Sequence, residues 1–159
     1  MKSIVIRKAE KEDIPEMLML IKELAEFEHG LNEVSVDEEN LLKHGFGEGA
    51  IYESFVAEKN GAIQGLAIYF YTYSTWNGKC LYLEDLIVKR KQRTGGVGTA
   101  LMNKIIETGK QAEVSRISWQ VLNWNLDAQD FYRKFDASFD GEWLNGRMTS
   151  NQIKEFKAE

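Results

Sequence analysis

One cysteine, one proline and two histidines are all that 159 residues hold of three residue types that often organise a site or a fold. Cys80 alone can form no internal disulfide, and nothing in it calls for an oxidising compartment. Thiolate and imidazole metal sites draw on several Cys and His, so Cys80, His29 and His44 are too few and no metal is expected. No apolar run approaches the roughly 20 residues of a membrane-spanning helix, so no membrane partner is expected. The opening Met1-Lys-Ser-Ile-Val-Ile-Arg7 has too short an apolar stretch for a signal peptide, which makes the cytoplasm the expected compartment. A basic stripe is missing as well. Residues 1–60 carry 14 acidic and 7 basic side chains, and residues 61–159 carry 11 and 13, within a net charge of −5. That balance argues against a nucleic-acid partner. It permits a cationic ligand beside the N-terminal half and an anionic one beside the remainder.

What the chain does contain is the mixture of an ordinary globule, 43% hydrophobic and 28% charged. The length fits a single domain over residues 1–159. Pro15 follows Asp13 and suits the first turn of a helix, whose apolar stripe runs Ile14, Met17, Leu18, Ile21, Leu24, Ala25. Ser35-Val-Asp-Glu38 reads as a capping box opening a second helix, which Gly45-Phe-Gly-Glu-Gly49 ends. Three strand-like runs follow, Tyr52–Glu58, Ile63–Tyr73 after the turn Lys59-Asn-Gly61, and Leu81–Val88. A helix with Val97, Leu101, Ile105 and Thr108 on one face comes next, then a strand over Ile117–Leu122. Ala128, Phe131, Tyr132 and Phe135 mark another helix, and the stretch from Ala137 to Glu159 is read as a short strand or two and a frayed helix. The order β-α-α-β-β-β-α-β-α-β predicts an α/β domain (α+β, mixed sheet), an antiparallel meander followed by strand–helix–strand.

Two local features point to chemistry. Arg93-Thr-Gly-Gly-Val-Gly98 links a strand to a helix, where glycines let the backbone approach a ligand and the opening N–H groups suit phosphate oxygens. Lys89, Arg90, Lys91 and Arg93 add positive charge. A nucleoside-triphosphate loop would need Lys after its last glycine, where Thr99 stands, and a dinucleotide fingerprint would need glycine where Leu101 stands. A phosphorylated ligand of another kind, or a merely structural tight turn, is left. The second feature is Leu81-Tyr-Leu-Glu-Asp-Leu-Ile-Val88, an apolar strand interrupted by Glu84 and Asp85. Strand alternation sends these two carboxylates to opposite faces. Burying an unpaired carboxylate costs several kcal/mol, so either the strand splays into a cleft or each group has a cationic partner.

With these residues the sequence resembles the GNAT superfamily of N-acetyltransferases, whose coenzyme A motif Gln/Arg-x-x-Gly-x-Gly/Ala is met by Arg93, Gly96 and Gly98. Over nearly the whole chain it is similar to the spermidine/spermine (diamine) acetyltransferases and their thialysine-acetylating relatives. The matching stretches are Val5-Ile-Arg7, Leu20-Ile-Lys-Glu-Leu-Ala25, Gly45-Phe-Gly-Glu48, Leu81-Tyr-Leu-Glu-Asp85, and Asn123-Trp-Asn125 with Phe131-Tyr132. The resemblance implies a GNAT-like fold and acetyl-CoA as co-substrate, its pyrophosphate on the amides of Thr94, Gly95, Gly96, Val97, Gly98 and Thr99. It places the pantetheine arm beside the backbone of Leu86, Ile87 and Val88, and a further coenzyme contact at Asn125, Leu126, Asp127 and Ala128. Tyr132 falls at the general acid and Glu84 at a carboxylate that contacts the amine. Phe27 and Glu28, with Ser118, Trp119 and Gln120, match polyamine-contacting positions; Asp85 and Trp143 join them as substrate candidates. Phe135-Asp-Ala137 stands where relatives have Arg-Gly-Ala, and Asp tolerates the left-handed cap that position needs. A homodimer is implied by the same analogy.

The implied activity is transfer of an acetyl group to a primary amine of a small cationic molecule of polyamine type. Glu84 would assist deprotonation, and Asp85 is the alternative base. Thialysine, another amino acid or a protein amine is the alternative acceptor, and a catalytically silent acetyl-CoA-binding regulator is the rival of another class.

Overall fold

The computed structural model describes residues 3–158, which pack as two compact units, the first ending at Gln120 and the second beginning at Val121. In the first unit, β1 (Val5–Lys8) leads into α1 (Ile14–Phe27) and α2 (Glu38–Phe46). Then come β2 (Glu53–Lys59), β3 (Ala62–Ser74), β4 (Gly78–Val88), α3 (Val97–Gln111) and β5 (Ile117–Ser118). The sheet order is β1-β2-β3-β4-β5, antiparallel throughout except for the parallel pair β4–β5. This is the expected meander followed by strand–helix–strand. Asn60 (φ 59°) and Gly61 (φ 73°) form the left-handed pair that a tight β2–β3 hairpin demands.

Each face of the sheet is covered by helices. On one face Ile14, Met17 and Leu20 of α1 and Leu41 of α2 pack on Val56, Ile63, Leu66, Ile68 and Ile87. Every such side chain taken from water contributes about 1.5–3 kcal/mol before entropy is charged against it. α1 is tied to β1 where it begins. Arg7 Nη1 and Nη2 donate to Asp13 Oδ2 and Oδ1 at 2.6 and 3.0 Å, and this guanidinium holds the buried Asp13 carboxyl below the usual range. α3 covers the other face, using Val97, Leu101, Met102 and Ile105, all buried. It lies close because β3 has no side chain at Gly65. A Cβ there would stand 2.8 Å from Val97 Cγ1 and 2.9 Å from the Ile87 carbonyl.

Four sequence-based boundaries move. The second helix is capped by Asp37, whose carboxylate accepts from the Asn40 N–H at 2.8 Å, and not by a box opening at Ser35. The strand expected over Ile117–Leu122 keeps only Ile117 and Ser118, the two residues that pair with Leu81 and Tyr82. Glu84 and Asp85 do not alternate. Asp85 pairs with Ile68 and Leu83 with Tyr69, so Glu84 is an extra residue, a β-bulge, that returns Asp85 to the face carrying Tyr82. No strand occurs among the described residues beyond Ala137.

The second unit contains α4 (Leu126–Arg133) and α5 (Ser150–Glu155). Asn125 caps α4, its side chain accepting from the Ala128 N–H at 3.2 Å, and Asp136 takes the left-handed conformation (φ 59°) three residues past its end. Thr149 and Gln152 form a reciprocal capping box on α5.

Candidate active site

The β4–β5 ladder stops at Tyr82–Ser118, while β4 runs on for six more residues to Val88. Ladder termination and the Glu84 bulge therefore coincide, leaving this side of β4 without a paired strand where the sequence carries its carboxylates. Among the described residues no Lys, Arg or His lies within 4.0 Å of Glu84 or Asp85, so neither carboxylate is held in a salt bridge. Asp85 shares its face with Ile68, the face that α1 covers. Burial there, reinforced by the charges of Glu84 and Glu28, pushes its carboxyl up to about 6. Glu28, at the end of α1, is raised in turn by its own partial burial. The Tyr82 phenol is raised by burial and by both carboxylates, and its ring lies 5.3 Å from that of Phe70. Three acidic groups with no salt-bridge partner are thus gathered where the β4–β5 ladder ends. Such an arrangement attracts a cation and can take its proton.

The glycine turn lies at the far end of β4. A 3₁₀ turn over Arg90–Gln92 precedes it, and Gly96 is left-handed (φ 80°) immediately before α3. Gly95 has no room to spare, since a Cβ would stand 3.2 Å from the Gln92 carbonyl and 3.6 Å from Lys59 Nζ. A left-handed Gly96, a close-packed Gly95 and the Lys59 ammonium beside the first turn of α3 make a setting that suits phosphate oxygens.

Lys59 was not among the sequence candidates. In the sequence it is part of a hairpin turn, and 36 positions separate it from Gly95. The positive charge is also differently disposed than expected. Lys89 Nζ is paired with Glu16 of α1 at 3.0 Å, and the Arg90 N–H donates to Glu23 at 2.8 Å, so α1 holds the strand end and the turn. Arg93, expected in the phosphate cradle, stacks its guanidinium 4.5 Å from the ring centroid of Phe27, expected at the amine.

Sequence comparison now decides the family. The profile of the Acetyltransferase (GNAT) family matches residues 16–137. The chain belongs to that family. A thialysine N-epsilon-acetyltransferase from Sus scrofa is 35% identical over 166 residues, covering 98% of each chain. A spermidine/spermine N(1)-acetyltransferase-like protein 1 from Homo sapiens is 32% identical over 164 residues, 97% of this chain but 24% of that protein. A solved integron cassette protein from V. cholerae superposes with a TM-score of 0.77 at 23% identity over 96% of both chains, a likeness of fold. The protein is therefore an N-acetyltransferase.

The other candidate residues of this acetyltransferase are placed as follows. Leu86, Ile87 and Val88 form the end of β4 beyond the bulge, and Ser118 closes β5, with Trp119 and Gln120 immediately after it. Asn125 to Ala128 open α4 in the second unit, where the Asn125 side chain is committed to its cap. Tyr132 is the one buried residue of α4, its ring edge-on to Phe131 at 5.2 Å. Trp143 stands 78% exposed in an irregular stretch of the same unit. Among the described residues no helix is long and apolar enough to cross a membrane, and no group of three or more His, Cys, Asp and Glu is placed to hold a metal ion.

Proposed function

We propose that the protein transfers the acetyl group of acetyl-CoA to a primary amine of a small cationic molecule of polyamine or diamine type. The observation that carries this reading is the coincidence of the β4–β5 opening with the unpaired cluster Glu28, Glu84 and Asp85. We read residues 1–159 as one catalytic domain, since the family profile runs past the end of the first unit. Acetyl-CoA would supply the acyl group as a thioester, held by the Thr94 to Thr99 amides, by Arg93 and Lys59, and by the backbone of Leu86, Ile87 and Val88.

An alkylammonium with a pKa near 10.4 is neutral only about once in two thousand at pH 7, a handicap of roughly 4–5 kcal/mol. The acidic cluster meets this in two ways. Its charge concentrates the cation, and a carboxylate receives the proton, directly or through water. Glu84 is assigned that task on the family pattern. The specific observation that Asp85 is raised to about 6 and shares a face with Tyr82 supports Asp85 as the second candidate. The N–H groups of β4 beyond the bulge offer donors to a carbonyl oxygen, and Tyr132 Oη is assigned the proton for the departing sulfur. Phe27, Ser118, Trp119, Gln120 and Trp143 are assigned to the amine.

The thialysine reading of the acceptor is favoured by the Sus scrofa relative, and the polyamine reading by the human one. Release of free coenzyme A thiol across spermidine, putrescine, thialysine and lysine separates the two. Turnover of none of them, or a protein that binds acetyl-CoA and never consumes it, would overturn the proposal in favour of a regulator. The cytoplasm and a homodimer complete the reading.

A further inference from the structure

Lys59 stands at the end of β2, and strand register decides where its side chain goes. Ala57 pairs with Gly65, Glu58 with Ile63 and Lys59 with Ala62, so Gln64 is an extra residue, a bulge on β3. Gly65 is where α3 lies close, a Cβ there meeting Val97 and Leu101. Ala57, directly opposite, shares that face, and alternation along β2 returns Lys59 to it two residues later. The left-handed Asn60 and Gly61 then turn the chain at once into β3, which holds the lysine at the hairpin's end. Its Nζ lies 3.6 Å from the point where a Cβ on Gly95 would stand.

This ammonium is uncommitted. Its neighbour Glu58 accepts from Arg7 Nε at 3.2 Å, and Glu16 and Glu23 of α1 are taken by Lys89 Nζ and the Arg90 N–H. Among the described residues no carboxylate lies within 4.0 Å of Lys59 Nζ, and no aromatic ring carries it. Arg93, by contrast, lies on the Phe27 ring. Lys59 is half-buried, which weakens the screening of its charge. Across the turn, the first N–H groups of α3 have no acceptor within the helix, and they follow directly on the left-handed Gly96. One ammonium and several backbone donors around a single glycine turn suit a phosphate group, whose oxygens accept from both.

We propose that Lys59 sets the class of acyl donor, its ammonium reading the pyrophosphate charge of the carrier that the α3 amides receive. The inference rests on the acetyl-CoA reading above and sharpens it, because Lys59 lies on a hairpin outside the Arg93–Gly98 motif. An acyl group on a phosphorylated pantetheine is thereby preferred to the same acyl group on pantetheine alone. The pyrophosphate, and not the ribose phosphate, is the contact, since Lys59 stands over Gly95, two residues before α3 begins.

Calorimetric titration of coenzyme A, dephospho-coenzyme A and pantetheine into the full chain tests this without any turnover. Dephospho-coenzyme A keeps the pyrophosphate and lacks the ribose phosphate, whereas pantetheine lacks both. Lys59→Met should weaken coenzyme A and dephospho-coenzyme A alike, by about tenfold, and Lys59→Arg should stay within about threefold of wild type. Pantetheine should not tell the three proteins apart. In about 1 M salt, where the Debye length is about 3 Å, the gap between wild type and Lys59→Met should narrow. Equal coenzyme affinity in wild type and Lys59→Met would overturn the assignment of Lys59 and leave the acetyl-CoA reading standing. So would a loss confined to coenzyme A, a loss shared by pantetheine, or an equal loss in Lys59→Arg. A wild type that binds neither coenzyme A nor dephospho-coenzyme A would bring down both.

Discussion

Asp85 carries the residue-scale test most directly, because its carboxyl is raised to about 6 from a usual value near 3.8. The folded state then binds more protons than the unfolded chain between those two values, so the group's contribution to stability falls as pH rises through that window. Above pH 6 the ionised, poorly solvated carboxylate is a liability of roughly 3 kcal/mol, which Asp85→Asn removes. The variant should melt higher than wild type at pH 7.5 and show little difference at pH 4. In the wild type, KM for the amine should fall as pH rises from 5 to 7, following ionisation of Asp85, and that dependence should vanish in Asp85→Asn. Tyr132→Phe keeps the ring and removes the proton; kcat should drop by at least about 10²-fold with KM for the amine little changed. A variant of full activity would end the tyrosine's assignment. The unpaired carboxylates Glu84 and Asp85 stand out in the sequence because charges in an apolar strand leave a mark there, while Tyr132 keeps the role the motif match proposes for it. Lys59 beside Gly95 and Arg93 on Phe27 leave no such mark, since those meetings join positions 36 and 66 residues apart and depend on how strands and helices pack.

Elements were read well where periodicity decides and poorly where register does. The stripes of α1 and α3 and the runs of β2, β3 and β4 announce themselves through spacing. The shortness of β5 does not, because a strand ends where its neighbour's ladder ends, whatever its own propensity. The bulge was equally hidden. Glu84 looks like any other strand residue until the pairing of Leu83 with Tyr69 and of Asp85 with Ile68 is known. What holds β3 against α3 is a glycine, and this gives the element-scale prediction. Gly65→Ala must push against Val97 Cγ1 and the fixed Ile87 carbonyl, and overpacking of this kind costs about 1–3 kcal/mol. Thermal melting should fall by several degrees, whereas Gly141→Ala, with nothing within 4 Å, should leave it unchanged.

At the scale of the molecule, exposed apolar side chains occur in both units, Ile51, Tyr73 and Trp76 among them in the first. Trp143 (78%), Leu144 (96%), Ile153 (61%) and Phe156 (70%) stand out in the 14 residues from 143 to 156. The homodimer proposed above would cover side chains of this kind. Light scattering should therefore return the mass of two chains, and replacing Leu144 and Phe156 with Ser should return one. The Arg93–Phe27 stack has its own consequence at this scale. If Phe27 meets the amine and Arg93 the pyrophosphate, as proposed above, one guanidinium cannot serve both at once, and loading the donor would alter what the amine meets. Thermodynamic reciprocity would then have the amine alter the donor's hold by the same factor. On those assignments the two substrates would bind interdependently, through one side chain's choice of neighbour.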